Sequence, residues 1–230
     1  MVGFHTTLKK LASTEFITLT LQDRWQEFAR RCDLPQADEI WDAISTLYSG
    51  EDRPYHNLHY IHDCLEKWDA WPKRPIGVDA DMIELAIWFH DIIYDSRRAD
   101  NEEASAALLS HFIKEHPLCP ETVALILSTQ HRDTAGMRCE EILSDIDLSI
   151  LGAPAEQYQD YARAIRKEYH WSLDENFAEK RSFVLRNFLD RDWIYHTPHA
   201  RTLWQKQAHS NLQWEIDQHA ETLRAFEPAP

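Results

Sequence analysis

The sequence predicts an all-α protein, a single-domain helical bundle of about ten helices. Three observations carry this. Apolar residues recur with a period near 3.6 along the whole chain, which keeps one face of each helix on a core. No segment reads as a credible strand. Glycine is scarce, 5 in 230 residues, too few for the turns of an all-β domain, and no long Gly/Ser/Pro tract marks a linker.

The elements follow in order. Thr14 to Cys32 reads as a helix with Phe16, Ile17, Leu21, Trp25 and Phe28 as its inward stripe. Asp38 to Tyr48 is the second, stopped at Gly50. Asn57 to Trp71 is the third, with Leu58, Ile61, Leu65 and Trp68 on one side and Pro72 and Pro75 beyond its end. The fourth opens at Asp79 and carries Met82, Leu85, Ala86 and Phe89 up to His90. After an irregular turn through Ser96-Arg97-Arg98, Asp100 or Asn101 caps a fifth helix whose first turn holds Glu102 and Glu103, where the helix dipole favours carboxylates. Pro120 to Gln130, Cys139 to Leu151 (stopped at Gly152), Pro154 to Tyr169, Asp174 to Asp190 and Thr197 to Phe226 complete the bundle. Trp25, Trp41, Trp68, Trp88 and Trp193 fall on or beside apolar stripes, so core packing explains them better than base stacking.

The net charge of -15 repels the phosphate backbones of long nucleic acids and anionic membranes, which are bound through Lys and Arg. A small anionic substrate remains compatible, because a metal ion or a local Arg cluster reverses the field inside a cleft. The four cysteines show no CxxC spacing, there is no apolar run near membrane-spanning length, and residues 1–12 lack a signal-like apolar core. The expectation is a cytoplasmic protein with reduced thiols; two disulfides in an exported protein is the less favoured alternative. The helical surfaces leave a homo-oligomer open, with no heptad seam to specify one.

Two segments carry the chemistry: Pro54-Tyr-His-Asn-Leu-His-Tyr60 and Ala86-Ile-Trp-Phe-His-Asp-Ile-Ile-Tyr94. A third, Ser144-Asp-Ile-Asp-Leu-Ser-Ile-Leu-Gly152, follows some fifty residues later. Imidazole and carboxylate bind divalent ions without redox chemistry of their own. His90-Asp91 follows the apolar run Leu85 to Phe89 and belongs at the buried end of a helix, whereas His62-Asp63 lies mid-helix among polar residues. Neighbouring helical residues point about 100° apart, so His90 and Asp91 share an ion only over the groove between their faces, with other helices supplying the remaining ligands. His59 and Asp147 suit that role.

As an ordered set these residues resemble the HD superfamily of metal-dependent phosphohydrolases, closest to its bacterial branch of predicted metal-dependent HD phosphohydrolases. The strings that carry the resemblance are Tyr55-His-Asn-Leu-His59, Phe89-His-Asp-Ile-Ile-Tyr94, Asn101-Glu-Glu-Ala-Ser-Ala106, Asp145-Ile-Asp-Leu-Ser-Ile-Leu-Gly152, Ala164-Ile-Arg-Lys-Glu-Tyr169 and Ile194-Tyr195. The resemblance implies an HD-type helical domain and a metal held by His59, His90, Asp91 and Asp147, with Asp147 favoured over Asp145 as the second acid of an Asp-x-Asp. Tyr55-His56-Asn57 is also similar to the triplet of cyclic-nucleotide phosphodiesterases in which the His protonates the leaving group. There the next His lies four residues on; here the spacing is three.

The implied activity is hydrolysis of a phosphoester or phosphoanhydride bond in a small phosphorylated metabolite, with a nucleotide the leading substrate class. The cofactor is a divalent ion; Mn, Mg, Fe, Co, Ni and Zn all stay open. Asp91 would ligate and orient a water, and His56 or Glu102 would act as acid or base. Asn57, Arg97, Arg98, Arg132 and Arg166 are candidate substrate contacts, Arg being suited to phosphate by its bidentate fork. His111 and His131 are the residues to watch for a second metal. The alternatives are a non-catalytic nucleotide-binding sensor and a di-iron oxygenase of HD type, since fold does not fix function.

Overall fold

The computed structural model describes residues 2–130 and 136–226, with side chains from Thr14 onward. Among these residues it is all-helical, with no strand. The chain divides into two compact units, Met1–Thr134 and Ala135–Pro230.

The first unit holds α1 (Val2–Cys32), α2 (Ala37–Leu47), α3 (Leu58–Asp69), α4 (Val78–Phe89), α5 (Asn101–Ile113) and α6 (Cys119–Ser128). α4 is its centre. It packs on α3, α5 and α6, and every residue from Met82 to Phe89 is buried. A helix apolar on all sides has no solvent face and is driven inward; only Glu84 interrupts the run, neutralised by Arg24 (3.0 Å) and Arg31 (3.1 Å) of α1. Trp25 of α1 meets Trp88 edge-on, 5.5 Å between ring centres, and donates from Nε1 to Ala37 O. α1 begins well before the expected Thr14. Of its expected stripe Leu21, Trp25 and Phe28 are buried, whereas Phe16 is 70% exposed and Ile17 half-buried. The stripe therefore starts at Leu21, in the part of α1 that packs on α2 and α3.

The second unit holds α7 (Arg138–Asp147), a 3-10 helix (Leu148–Gly152), α8 (Ala155–Glu168), α9 (Asp174–Leu189) and α10 (Pro198–Arg224). The long seventh helix expected from Cys139 to Leu151 thus tightens to 3-10 geometry after Asp147. α10 packs on α8, α9 and the 3-10 helix. Gly152 makes that approach: a Cβ there would sit 2.3 Å from Trp204 Cβ and 2.8 Å from its backbone. Trp193 departs from the expected core role. It lies in the turn between α9 and α10, 53% exposed, with the Arg201 guanidinium over its ring. Among the described residues no helix is long and apolar enough to cross a membrane, and all four cysteines are free.

Candidate metal centre

His90 is the C-cap of α4 and is 1% exposed. The helix ends at Phe89, so Asp91 already belongs to the following turn. His90 itself keeps helical backbone angles (φ -58°, ψ -36°), and its Nε2 stands 3.4 Å from Asp91 Oδ2. His56, in the turn before α3, approaches the same oxygen with Nε2 at 3.8 Å. Three donor atoms of the right chemistry thus gather at the buried end of the central helix.

The tautomer of His90 follows from its neighbours. Nδ1 lies 3.0 Å from Ile87 O, and a carbonyl oxygen only accepts, so Nδ1 carries the proton and Nε2 offers its lone pair. A backbone carbonyl that takes one ring N–H and leaves the lone pair of the other nitrogen available is how metal-binding histidines are held. Tyr60 Oη lies 2.7 Å from the same Nε2 and donates to it.

His56 is fixed by rings. It stacks on Tyr94 at 3.9 Å and 27°, and meets Tyr55 edge-on at 4.9 Å and Tyr60 at 5.5 Å. Asn57 caps α3: its Oδ1 accepts from the His59 and Tyr60 N–H groups and its Nδ2 donates to Arg53 O and Pro54 O. The side chain proposed to touch substrate is therefore turned to the backbone of its own loop, and its effect on the site is to set where His56 ends and α3 begins. His59 stands on the first turn of α3, half-buried. Further along the same helix, His62 Nδ1 lies 4.0 Å from Asp63 Oδ1 and 3.8 Å from Glu66 Oε2. These three could also take an ion, but the carboxylates are half-exposed or more and balance the imidazole without one.

The loop after Asp91 is clamped from α5. Ser105 Oγ, fully buried, accepts from Ile93 N and donates to Ile93 O. Asn101 Oδ1 accepts from Asp95 N and its Nδ2 donates to Asp95 O. Asn101 and Ser105, one turn apart, account for part of the Asn-Glu-Glu-Ala-Ser string. Asp100, the N-cap position, makes no side-chain cap bond; it pairs instead with Arg98 at 2.9 Å in an exposed ion pair. Arg97 is exposed and Glu102 half-buried. His111 is exposed on the last turn of α5. Arg132 and His131 lie outside the described residues.

In the second unit the structure distinguishes the two acids of Asp145-Ile-Asp147. Asp145 is fully buried and accepts from His196 N at 2.7 Å and Thr197 N at 2.8 Å, so it caps the start of α10. Burial pushes its carboxyl up from the ordinary value while these hydrogen bonds pull the other way. Asp147 closes α7 and is half-buried. Burial pushes the pKa of Tyr161 up, with Glu215 and, last, Asp147 adding to it against Arg181, from which the Tyr161 hydroxyl accepts at 3.1 Å. Arg166, taken from the sequence as a phosphate contact, grips its own unit: it donates to Tyr169 O, Ser172 O and Asp174 and covers the Phe177 ring.

Sequence reasoning missed Arg53 and Tyr60. Both stand within or beside the Pro54 to Tyr60 string, and the signal available was an arginine and a tyrosine flanking two histidines. Fold and site together give an all-α protein in which His90 and Asp91 belong to a group of side chains that could hold a metal ion. No family model matches the chain, and comparison with curated proteins and with solved structures gives no match.

Proposed function

We propose that the chain is a metal-dependent phosphohydrolase acting on a small phosphorylated metabolite, a nucleotide first among them. The observation that carries this is the approach of the His90 and His56 imidazoles to one oxygen of Asp91, at the dry end of α4. The reading adds His59 and Asp147 as ligands on the strength of the HD resemblance; the engagement of Asp145 with α10 supports Asp147 as the acid left for that role. When bound, a divalent ion supplies Lewis acidity toward a phosphoryl oxygen and lowers the pKa of water. His90 would hold the ion through Nε2, because its other nitrogen is tied to Ile87 O. Asp91 would hold it and orient a water. His56, braced between Tyr55, Tyr60 and Tyr94, is positioned to take or give a proton at Nε2. The acidic whole excludes polyanions and leaves small substrates.

The test is release of phosphate or pyrophosphate from a nucleotide panel with Mn²⁺ or Co²⁺. Asp91→Ala is expected to abolish both turnover and metal retention, and Asp147→Ala to weaken metal binding at least tenfold. Activity that survives Asp91→Ala with no metal bound would overturn the mechanism. Ligand-induced stabilisation without product would indicate a nucleotide sensor instead, and two irons per chain with O₂ consumption an oxygenase.

A further inference from the structure

We infer that Tyr60 sets the affinity of this centre for a cation, by holding the lone pair through which His90 would bind. The inference rests on His90 as a metal ligand, the reading given above, and asks something further of a residue outside the ligand set. Its geometry is specific. His90 Nδ1 is committed to Ile87 O, so Nε2 is the only acceptor on that ring, and the Tyr60 hydroxyl stands 2.7 Å from it. Both residues are buried, at 5% and 1% exposure. One lone pair cannot serve a phenolic proton and a cation together. Entry of an ion at His90 therefore costs one buried hydrogen bond.

The tyrosine cannot swing clear to relieve the competition. Its ring lies 5.0 Å from Tyr55, 5.5 Å from His56 and 5.6 Å from His90, and its backbone N–H is tied to the Asn57 cap. The hydroxyl proton can turn away while the ring stays. Without an ion, Tyr60 keeps His90 oriented and its buried nitrogen satisfied; with one, it yields. The residue is a positioning residue for the empty centre and a brake on loading.

Tyr60→Phe removes the oxygen and keeps the ring, so the signature is opposite in sign to that of a ligand. Calorimetric titration with Zn²⁺ should give an unchanged number of ions per chain and a dissociation constant roughly 2- to 10-fold lower, the worth of one net hydrogen bond. The metal-free variant should melt below wild type, and the Zn²⁺-induced rise in Tm should be larger than in wild type. A dissociation constant unchanged or raised in Tyr60→Phe would overturn the inference, the second result making the phenol a support of the bound ion. His90→Asn is the control: if it leaves Zn²⁺ binding intact, His90 is no ligand and the metal reading itself falls, taking this inference with it. Should the variant fold poorly, ¹⁵N NMR of wild-type His90 is the second measurement. An Nε2 that accepts a hydrogen bond before Zn²⁺ is added and coordinates afterwards agrees with the inference; an Nε2 carrying a proton in the metal-free protein overturns it.

Discussion

Arg53 shows how a single side chain can assemble a site without touching its chemistry. It is 7% exposed, and its guanidinium donates to Leu47 O, His56 O, Asp91 O and Ile92 O. It also lies over the Tyr48 ring at 4.5 Å. Four carbonyl dipoles take the place of a carboxylate: one from the end of α2 and three from the two segments that carry the imidazole of His56 and the carboxylate of Asp91. Removing the cation leaves those carbonyls buried and unsatisfied, which is costlier than the net worth of the bonds. Arg53→Met should lower the free energy of unfolding by on the order of 3 kcal/mol, measured by urea denaturation. Arg53→Lys should recover only part of it, because an ammonium cannot reach all four acceptors in one plane.

Among the elements, α10 depends on a residue far from it in sequence. The helix begins with Thr197, whose hydroxyl accepts from Ala200 N, while Asp145 of α7 takes the His196 and Thr197 N–H groups. A carboxylate at a helix start satisfies donors that would otherwise lack partners and meets the positive end of the dipole. Asp145→Ala should cost roughly 1–2 kcal/mol and show as raised amide exchange in the first turn of α10. The segments around Asn101 and Asp145 are thus part scaffold, with Asp145 capping a helix and Asn101 and Ser105 pinning a loop.

For the whole molecule, acid stability is governed most visibly by one buried charge. Glu215 accepts from Arg181 Nε at 2.8 Å and from Tyr158, with His219 at 3.4 Å. Burial alone would raise its pKa, but Arg181 and these hydrogen bonds outweigh that and bring it down to about 2. Because this lies below the ordinary 4.5, the unfolded chain takes up the proton first. The stabilisation is whole above about 4.5 and is lost as pH falls toward about 2, amounting to roughly 3 kcal/mol. Thermal melts between pH 6 and 2 should show this slope in the wild type. Glu215→Gln should flatten it, lowering Tm most above pH 4.5, where it strands the Arg181 charge, with the two curves converging near pH 2.

What the chain itself made legible was the local order: an all-helical protein, most helix ends within two residues, and an apolar run from Leu85 to Phe89 that carries His90 at its buried end. These are read from neighbours three or four residues apart, where periodicity and capping act. The tertiary structure alone decided which acid of Asp145-Ile-Asp147 is consumed by a cap, that Phe16 and Trp193 stay exposed, and that Arg53 and Tyr60 hold the site. Each depends on a partner brought close by folding, and hydrogen bonds between residues remote in sequence leave no periodic trace in it.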